Sequence, residues 1–398
     1  MENSTLNAGD ITERRFSLLF FFLRLVGIPV NRKTSSCYRS LYNTVFSICM
    51  YNLYLEFTMD FITSKDLDNG IVKIRFFLGT TVVMWMHLYL RIRKSAFEGL
   101  FALTESFRWE DQPETDPDTK VLTMAGLITR IQRYMLCAII FINGYHITST
   151  IIIRAKHYFL MFETWHPFDN SSMLVLQITN ISEIFGSLAI ITTLMTFTCL
   201  YGVMVCVACS QLEKLRAALL DIKQETSEHE GTFSRMQDQL NACIRHHQEI
   251  KRFMQEIEDV FNPCFCGLFL IILITLCCLA FSGVMSWGHP ADVIQAVIAY
   301  FALLLSVFIF CRLGTELTAQ AESVGDSAWG CDWVGTPVHF QRCLAFVIAT
   351  AQKEFTLTAG KFVPVSNTTM MNMMNQSVSF FMFLLQMKYR NDGTTHEK

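Results

Sequence analysis

The residues of this chain with chemistry to offer are amides and hydroxyls embedded in apolar runs. Positions 367–387 carry no charge, and a helix of roughly 20 such residues is long enough to cross a bilayer. Yet Thr368, Thr369, Asn372, Asn375, Gln376, Ser377, Ser379 and Gln386 interrupt the run. An amide in hydrocarbon is costly unless it faces protein or water. Two uses follow: one face of the helix lines a wet space, or its polar groups bond to neighbouring helices. His146 and Tyr300 are a second pair of interest, because an imidazole or a phenol inside a membrane bundle calls for a partner. Catalysis finds no support: there is no Gly-rich phosphate loop and no nucleophile elbow, and Glu183 and Asp292 stand isolated near the ends of apolar segments. An enzyme is not expected. Cys199, Cys206, Cys209, Cys277, Cys278 and Cys311 lie inside apolar runs and read as small hydrophobes. Arg245-His246-His247 lacks a second pair of ligands, so neither a metal site nor a cofactor is expected.

The elements that must position these groups are helices in a membrane. Of 398 residues, 52% are hydrophobic and only 17% charged, too apolar for an ordinary soluble domain. No basic block points to nucleic acid, and the acidic start of the chain does not resemble a cleaved signal peptide. Apolar segments run over 38–62, 71–90, 133–153, 180–209, 264–287, 291–311 and 367–387, which predicts an all-α polytopic membrane protein with seven transmembrane helices. The run 16–26 is too short to span and reads as an amphipathic stretch on the cytoplasmic interface. Lys and Arg number 19 in stretches 1–37, 91–132, 209–262 and at Arg312, against 6 in the stretches on the other side. The positive-inside rule therefore predicts a cytoplasmic N-terminus and an extracellular C-terminus. Among the glycosylation sequons, Asn170 is well clear of both membrane and cytosol under this topology. Apolar residues at helical spacing over 210–262 predict that segments four and five continue into the cytosol. The stretch 337–352 reads as a short cytoplasmic helix, and 359–365 as the turn feeding the last crossing.

The end of the chain carries a resemblance. TAGKF at 358–362 and SFFMFLLQMK at 379–388 are similar to the C-terminal signature of insect odorant receptors. The related gustatory receptors end in a Thr-Tyr pair, several apolar residues and Gln; here Ser379 and Phe380 replace the pair while Gln386 is in place. SVGDSAWGCDW at 323–333 resembles the family's Tyr-x-x-x-Trp element, with Trp329 in the Tyr position. Aromatics at i and i+4 share a helix face, so Trp329 and Trp333 are expected to pack structurally, subunit contacts included.

This resemblance implies an odorant-tuned subunit rather than the shared co-receptor, which carries a much longer insertion between segments four and five. It implies a hetero-tetramer with that co-receptor in the plasma membrane of sensory neurons. The resemblance further implies that a small volatile odorant opens a non-selective cation pore lined by the last helix, at Phe383, Gln386 and Met387. The chain then divides into a cytoplasmic segment (1–37), helices one to six with a cytoplasmic extension (38–311, extension 210–262), cytoplasmic anchor helices (312–366), the pore helix (367–388) and an extracellular tail (389–398). A receptor needs an apolar pocket with a few orienting polar groups. In the outer halves of segments two, three, four and six, residues sharing a face are Phe77, Thr80 and Met84; His146, Ile147 and Thr150; Phe185 and Leu188; and Tyr300 and Leu304. The alternatives are a gustatory receptor channel and, from a different class, a G-protein-coupled receptor. In the latter, Cys137 and Cys243 could mimic a disulfide, but Asp/Glu-Arg-Tyr and Asn-Pro-x-x-Tyr are absent.

Overall fold

A computed structural model describes residues 14–28, 37–64, 67–107, 113–115, 120–156, 164–167, 172–224, 231–286 and 290–395. The described residues form ten helices and one two-stranded hairpin: α1 (Ser17–Leu25), α2 (Cys37–Thr63), α3 (Leu67–Ile92), α4 (Lys94–Glu105), α5 (Met124–Lys156), α6 (Met173–Leu220), α7 (Gly231–Met285), α8 (Pro290–Trp329), α9 (Val338–Ala351), β1 (Thr358–Ala359), β2 (Val363–Pro364) and α10 (Asn367–Thr395). The seven apolar segments expected from the sequence lie in α2, α3, α5, α6, α7, α8 and α10.

Helix α6 is the axis of the bundle. It touches α1, α2, α3, α5, α7 and α8, and its most apolar stretch is 89% buried, against 28% for that of α8. A helix so enclosed carries little amphipathic signal, and its polar residues must be satisfied locally. Thr192, Thr193 and Thr198 each donate to the carbonyl four residues earlier, at 2.7 to 3.0 Å. At its centre Tyr201 is fully buried against Phe261, Phe265 and Phe310 and donates its hydroxyl to the Phe310 carbonyl at 3.1 Å. At 55 residues, α7 is about 80 Å long, far beyond roughly 30 Å of hydrocarbon. The expected continuation of segment five into water is thus one unbroken helix, and Pro263 is accommodated inside it.

Three local readings change. The stretch expected to lie on the interface is α1, and it is built into the bundle: Phe16, Leu19, Phe22 and Leu23 are at most 1% exposed, packed on α5 and α6. Gln132 fixes it there, accepting from the Leu19 N–H at 3.0 Å and donating to the Arg15 carbonyl at 2.8 Å. An amphipathic pattern shows that a face is covered without showing what covers it. The stretch 91–132 holds α4, whose buried Phe97, Leu100 and Phe101 face the core rather than forming loop. Segment six does not stop at Cys311 but runs straight on to Trp329 as α8.

Candidate functional site

The route into the last helix is built first. Leu357 to Val365 closes as a hairpin, with the Val365 N–H donating to the Leu357 carbonyl at 2.7 Å and Ala359 opposite Val363. Gly360 and Lys361 sit at φ +68° and +65°; a Cβ on Gly360 would run into the Phe362 ring and Cys266, so only glycine fits that corner. The hairpin is bolted to α7. Glu258, 8% exposed, accepts from the Thr358 N–H at 2.8 Å, from the Thr358 hydroxyl at 2.5 Å and from Asn262 Nδ2 at 3.1 Å. Asn262 Nδ2 also reaches the Thr358 carbonyl at 2.9 Å, and Lys361 Nζ lies 3.3 Å from Glu258 and 3.2 Å from Asp259. Past the hairpin, Gly314 of α8 lets the backbone at Val365 pass in contact, and Thr315 Oγ1 accepts the Asn367 N–H at 3.0 Å. Thr369 closes the first turn on the Pro364 carbonyl at 2.6 Å. Glu258 and Asn262 were not singled out from sequence. Their signal is an acid and an amide at i and i+4 on a helix, which is too common to stand out.

From there α10 leaves the body of the protein. It touches α7 and α8 through a narrow stripe in which Thr369, Met373 and Ser377, four residues apart, are buried. Most of the rest faces outward: Phe380, Phe383 and Met387 are about half exposed, and Asn372, Asn375, Gln376 and Gln386 are exposed. The three expected pore residues, Phe383, Gln386 and Met387, therefore lie together on a face that the chain leaves uncovered. The helix also runs to Thr395, past the end expected at 388.

The expected pocket residues divide. Phe77 stacks on Phe61 at 5.4 Å and Tyr54 at 6.2 Å, which turns it toward α2. Thr80 is buried with its hydroxyl on the Phe76 and Phe77 carbonyls. Met84 packs with Met50 and Ala189, so α3 and α6 do meet there. His146 Nε2 lies 2.7 Å from Ser187 Oγ, the polar partner that its position demanded, and Asn143 donates to Thr192 Oγ1 at 3.3 Å one turn inward. Leu188, Tyr300 and Leu304 are half-buried; Tyr300 packs on the main core edge-on to Phe301 at 5.8 Å. Phe185 and Ile147, 60% and 39% exposed, point away from the bundle rather than into a shared pocket. The side chain of Thr150 and the sequon at Asn170 lie outside the described residues. A cavity of about 420 Å³ opens elsewhere, on the face of α2, lined by Ser47, Tyr51, Asn52 and Arg91 among others.

Trp329 and Trp333 are in contact, ring centroids 5.0 Å apart, with Trp333 Nε1 donating to the Trp329 carbonyl at 3.2 Å. Trp329 is 64% exposed, so its contact with Trp333, which packs against the core, leaves most of the ring uncovered. Cys137 and Cys243 are both free thiols, on α5 and on the N-terminal half of α7. Glu183 is not isolated. It lies beside His166, whose other ring nitrogen faces Glu56. Burial lowers the His166 pKa, an effect opposed by the nearby Asp60 charge.

A bundle of long apolar helices, with an outward-facing polar helix hung from a hairpin at its end, defines a helical multi-pass membrane protein. The chain belongs to the insect odorant receptor family: it matches the 7tm Odorant receptor family over residues 67–378. It is similar to Odorant receptor 85c of Drosophila melanogaster, 28% identical over 37% of this chain and 38% of that protein. It is similar also to Odorant receptor 2a of the same species, 26% identical over 44% and 46%, and to the Odorant receptor coreceptor of Anopheles gambiae, 28% identical over 36% and 30%. These alignments span less than half the length of each relative. Over nearly the whole chain the fold matches that of the insect olfactory receptor OR5 from Machilis hrabei, solved in complex with eugenol. The TM-score is 0.69 at 16% identity, covering 95% of this chain and 99% of that one.

Proposed function

We propose that this chain is the odorant-tuned subunit of a ligand-gated, non-selective cation channel. It assembles as a hetero-tetramer with a co-receptor in the plasma membrane of sensory neurons. The observation that carries this is α10. A membrane helix cannot leave Asn372, Asn375, Gln376 and Gln386 against lipid, yet its own chain covers only the Thr369–Met373–Ser377 stripe. Other subunits and a water-filled path account for the remaining face. In a ring of subunits, Phe383 and Met387 close the path by excluding water, and Gln386 offers amide oxygens to a passing cation. An amide ring has neither fixed charge nor a carbonyl filter, which supports weak selectivity among cations.

The odorant pocket is assigned to the outer half of the bundle, around Met84, His146, Leu188, Tyr300 and Leu304, with the His146–Ser187 pair as its polar element. A small, largely apolar volatile fits such a lining. Exposed Trp329, on a cytoplasmic end that also exposes Val334, Val338 and Phe346, supports subunit contacts there. Orientation with the N-terminus inside rests on the loop charges. The gustatory alternative would use the same channel mechanism, but the family match is to odorant receptors. The test is whole-cell recording from cells expressing this chain with and without the co-receptor, across an odorant panel. A directly gated cation current supports the reading; responses that appear only through G-protein signalling contradict it.

A further inference from the structure

The cavity on the face of α2 takes no part in the channel reading, and its lining changes from charged to apolar along its length. At one end Arg91, in the last turn of α3, reaches across to α2 and donates from Nη1 to Ser47 Oγ at 2.9 Å. Ser47 is free to accept because its own proton goes to the Asn43 carbonyl at 2.8 Å. Thr44 borders the same end and Tyr51 the middle. Ile48 and Leu55, 60% and 59% exposed, make the far wall apolar. At 1.5 Å per residue, the groove from Thr44 to Leu55 runs about 16 Å along α2.

This gradient runs in the direction of the membrane. Helix α2 has 27 residues and is about 40 Å long, against roughly 30 Å of hydrocarbon, so its first turns stand in the headgroup layer. That puts Ser47 and Arg91 near the boundary and Leu55 among acyl chains. The apolar run of α3 ends at Leu90, immediately before Arg91. Charge makes a second, independent point. Arg91 is exposed, and among the described residues its guanidinium has the Ser47 hydroxyl as a partner but no carboxylate. The nearest acid on α2, Glu56, is 6% exposed and is not part of the lining. Exposed Arg93 adds positive charge at the same end. A guanidinium at the edge of hydrocarbon calls for a counter-charge, and its planar fork of donors matches a phosphate.

We propose that this groove binds an anionic phospholipid, its phosphate on Arg91 and one acyl chain along Ile48 and Leu55. A free anion would use the cation and leave the apolar wall uncovered. An uncharged apolar molecule would use the wall and leave the cation without a counter-charge. An amphiphile satisfies both ends, and the volume of about 420 Å³ is in the range of small-molecule sites. The bound lipid joins α2 to the end of α3, two helices that also meet where Met50 packs with Met84 beside the assigned odorant pocket. That the lipid comes from the cytoplasmic leaflet, where anionic lipids are concentrated, rests on the orientation proposed above; the binding itself does not.

The experiment uses the full-length chain purified and delipidated in detergent. Phosphatidylserine, phosphatidylcholine with the same acyl chains, and chain-free glycerophosphoserine are titrated separately. Bound lipid is counted by native mass spectrometry, and the apparent melting temperature is followed alongside. The wild type is expected to bind phosphatidylserine about fivefold more tightly than phosphatidylcholine, the contribution of one cation to anionic-lipid binding, and to melt higher with it. Arg91→Gln should bring the two lipids to parity, whereas Arg91→Lys, which keeps the charge, should bind phosphatidylserine more tightly than Arg91→Gln does. A phosphatidylserine with a photoreactive group in one acyl chain should label the wild type between Ile48 and Leu55, which keeps the test decisive even if an Arg91 variant folds poorly. Equal affinity of the wild type for both lipids, an undiminished preference in Arg91→Gln, or labelling confined to other helices overturns the proposal. Stabilisation by glycerophosphoserine equal to that by the intact lipid also overturns it, and identifies a small-anion site. None of these readouts requires a current, so failure of the lipid site is distinguishable from failure of the channel reading.

Discussion

Replacing Glu258 by Gln should destabilise the receptor through the hairpin that carries its last helix. The carboxylate is the common acceptor for the Thr358 N–H, the Thr358 hydroxyl and Asn262 Nδ2, with Lys361 Nζ at its edge. Gln keeps the shape but has one acceptor oxygen, so its amide nitrogen must face at least one of these donors. A bond to a charged acceptor is worth about 1.5–3 kcal/mol, and a donor left buried and unpaired costs a further 1–3 kcal/mol or so. The Lys361 pair adds little, because the lysine is 61% exposed. The expected loss is on the order of 3–6 kcal/mol. Thr358→Val removes only the hydroxyl and should cost roughly 2–4 kcal/mol, since the backbone N–H still reaches Glu258. Because the two residues share a bond, the double variant should be less harmful than the sum of the singles by about 1 kcal/mol or more. The assay is heat challenge of detergent-solubilised, fluorescently tagged receptor followed by size-exclusion chromatography, read as apparent midpoints because unfolding is irreversible. A Glu258→Gln midpoint equal to wild type, or strictly additive effects, would refute the clamp.

Other outcomes follow from the same geometry. His146→Ala and Ser187→Ala remove opposite ends of one 2.7 Å contact, so both should shift odorant potency in the same direction by about fivefold, the equivalent of roughly 1 kcal/mol; dose-response curves that move in opposite directions would dissolve the pair. Tyr300→Ala should change the ranking of odorants at unchanged surface expression, which a ligand panel checks. Trp329→Ala should leave the melting of the isolated chain nearly unchanged, because the ring is 64% exposed, yet lower co-assembly and surface delivery measured by co-purification. His247, buried in the N-terminal half of α7, has its pKa pushed down to about 4 from 6.5. The unfolded chain therefore binds the proton more readily between those values. Stability present above about pH 6.5 should fall as pH drops toward 4, and His247→Gln should flatten that dependence in melts run from pH 7.5 to 4.5.

What could be read from sequence was whatever depends on neighbours along the chain. Long uncharged runs located the helices of the bundle, and the spacing of Leu212, Leu215 and Leu219 carried α6 beyond the apolar run that ends at Cys209, where all three are buried. Gly360 and Pro364 marked the corner where the hairpin forms. The uncovered face of Phe383, Gln386 and Met387 came through the resemblance, and polarity alone had left it undecided between water and neighbouring helices. Unreadable features were those decided by distant partners. The apolar face of α1 has the same pattern whether lipid or α6 covers it. Phe185 and Leu188 sit within one turn of each other, but only the crossing of α5 over α6 determines that Phe185 faces outward. Glu56, His166 and Glu183 are isolated residues until three elements converge, and Glu258 acquires its role only when Thr358 folds back onto it.

The central claim is that α10 lines a water-filled path. Single cysteines at Phe383, Gln386 and Met387, and for contrast at buried Met373, can be exposed to a charged, water-soluble thiol reagent during odorant-evoked current. Alongside them, Gln386→Glu is tested for reversal potential under bi-ionic conditions. The account predicts that the reagent changes current at 383, 386 and 387 but not at 373, and that Gln386→Glu alters relative cation permeability. Unmodified currents at all four cysteines, together with a wild-type reversal potential in Gln386→Glu at matched surface expression, would place this helix outside the conduction path.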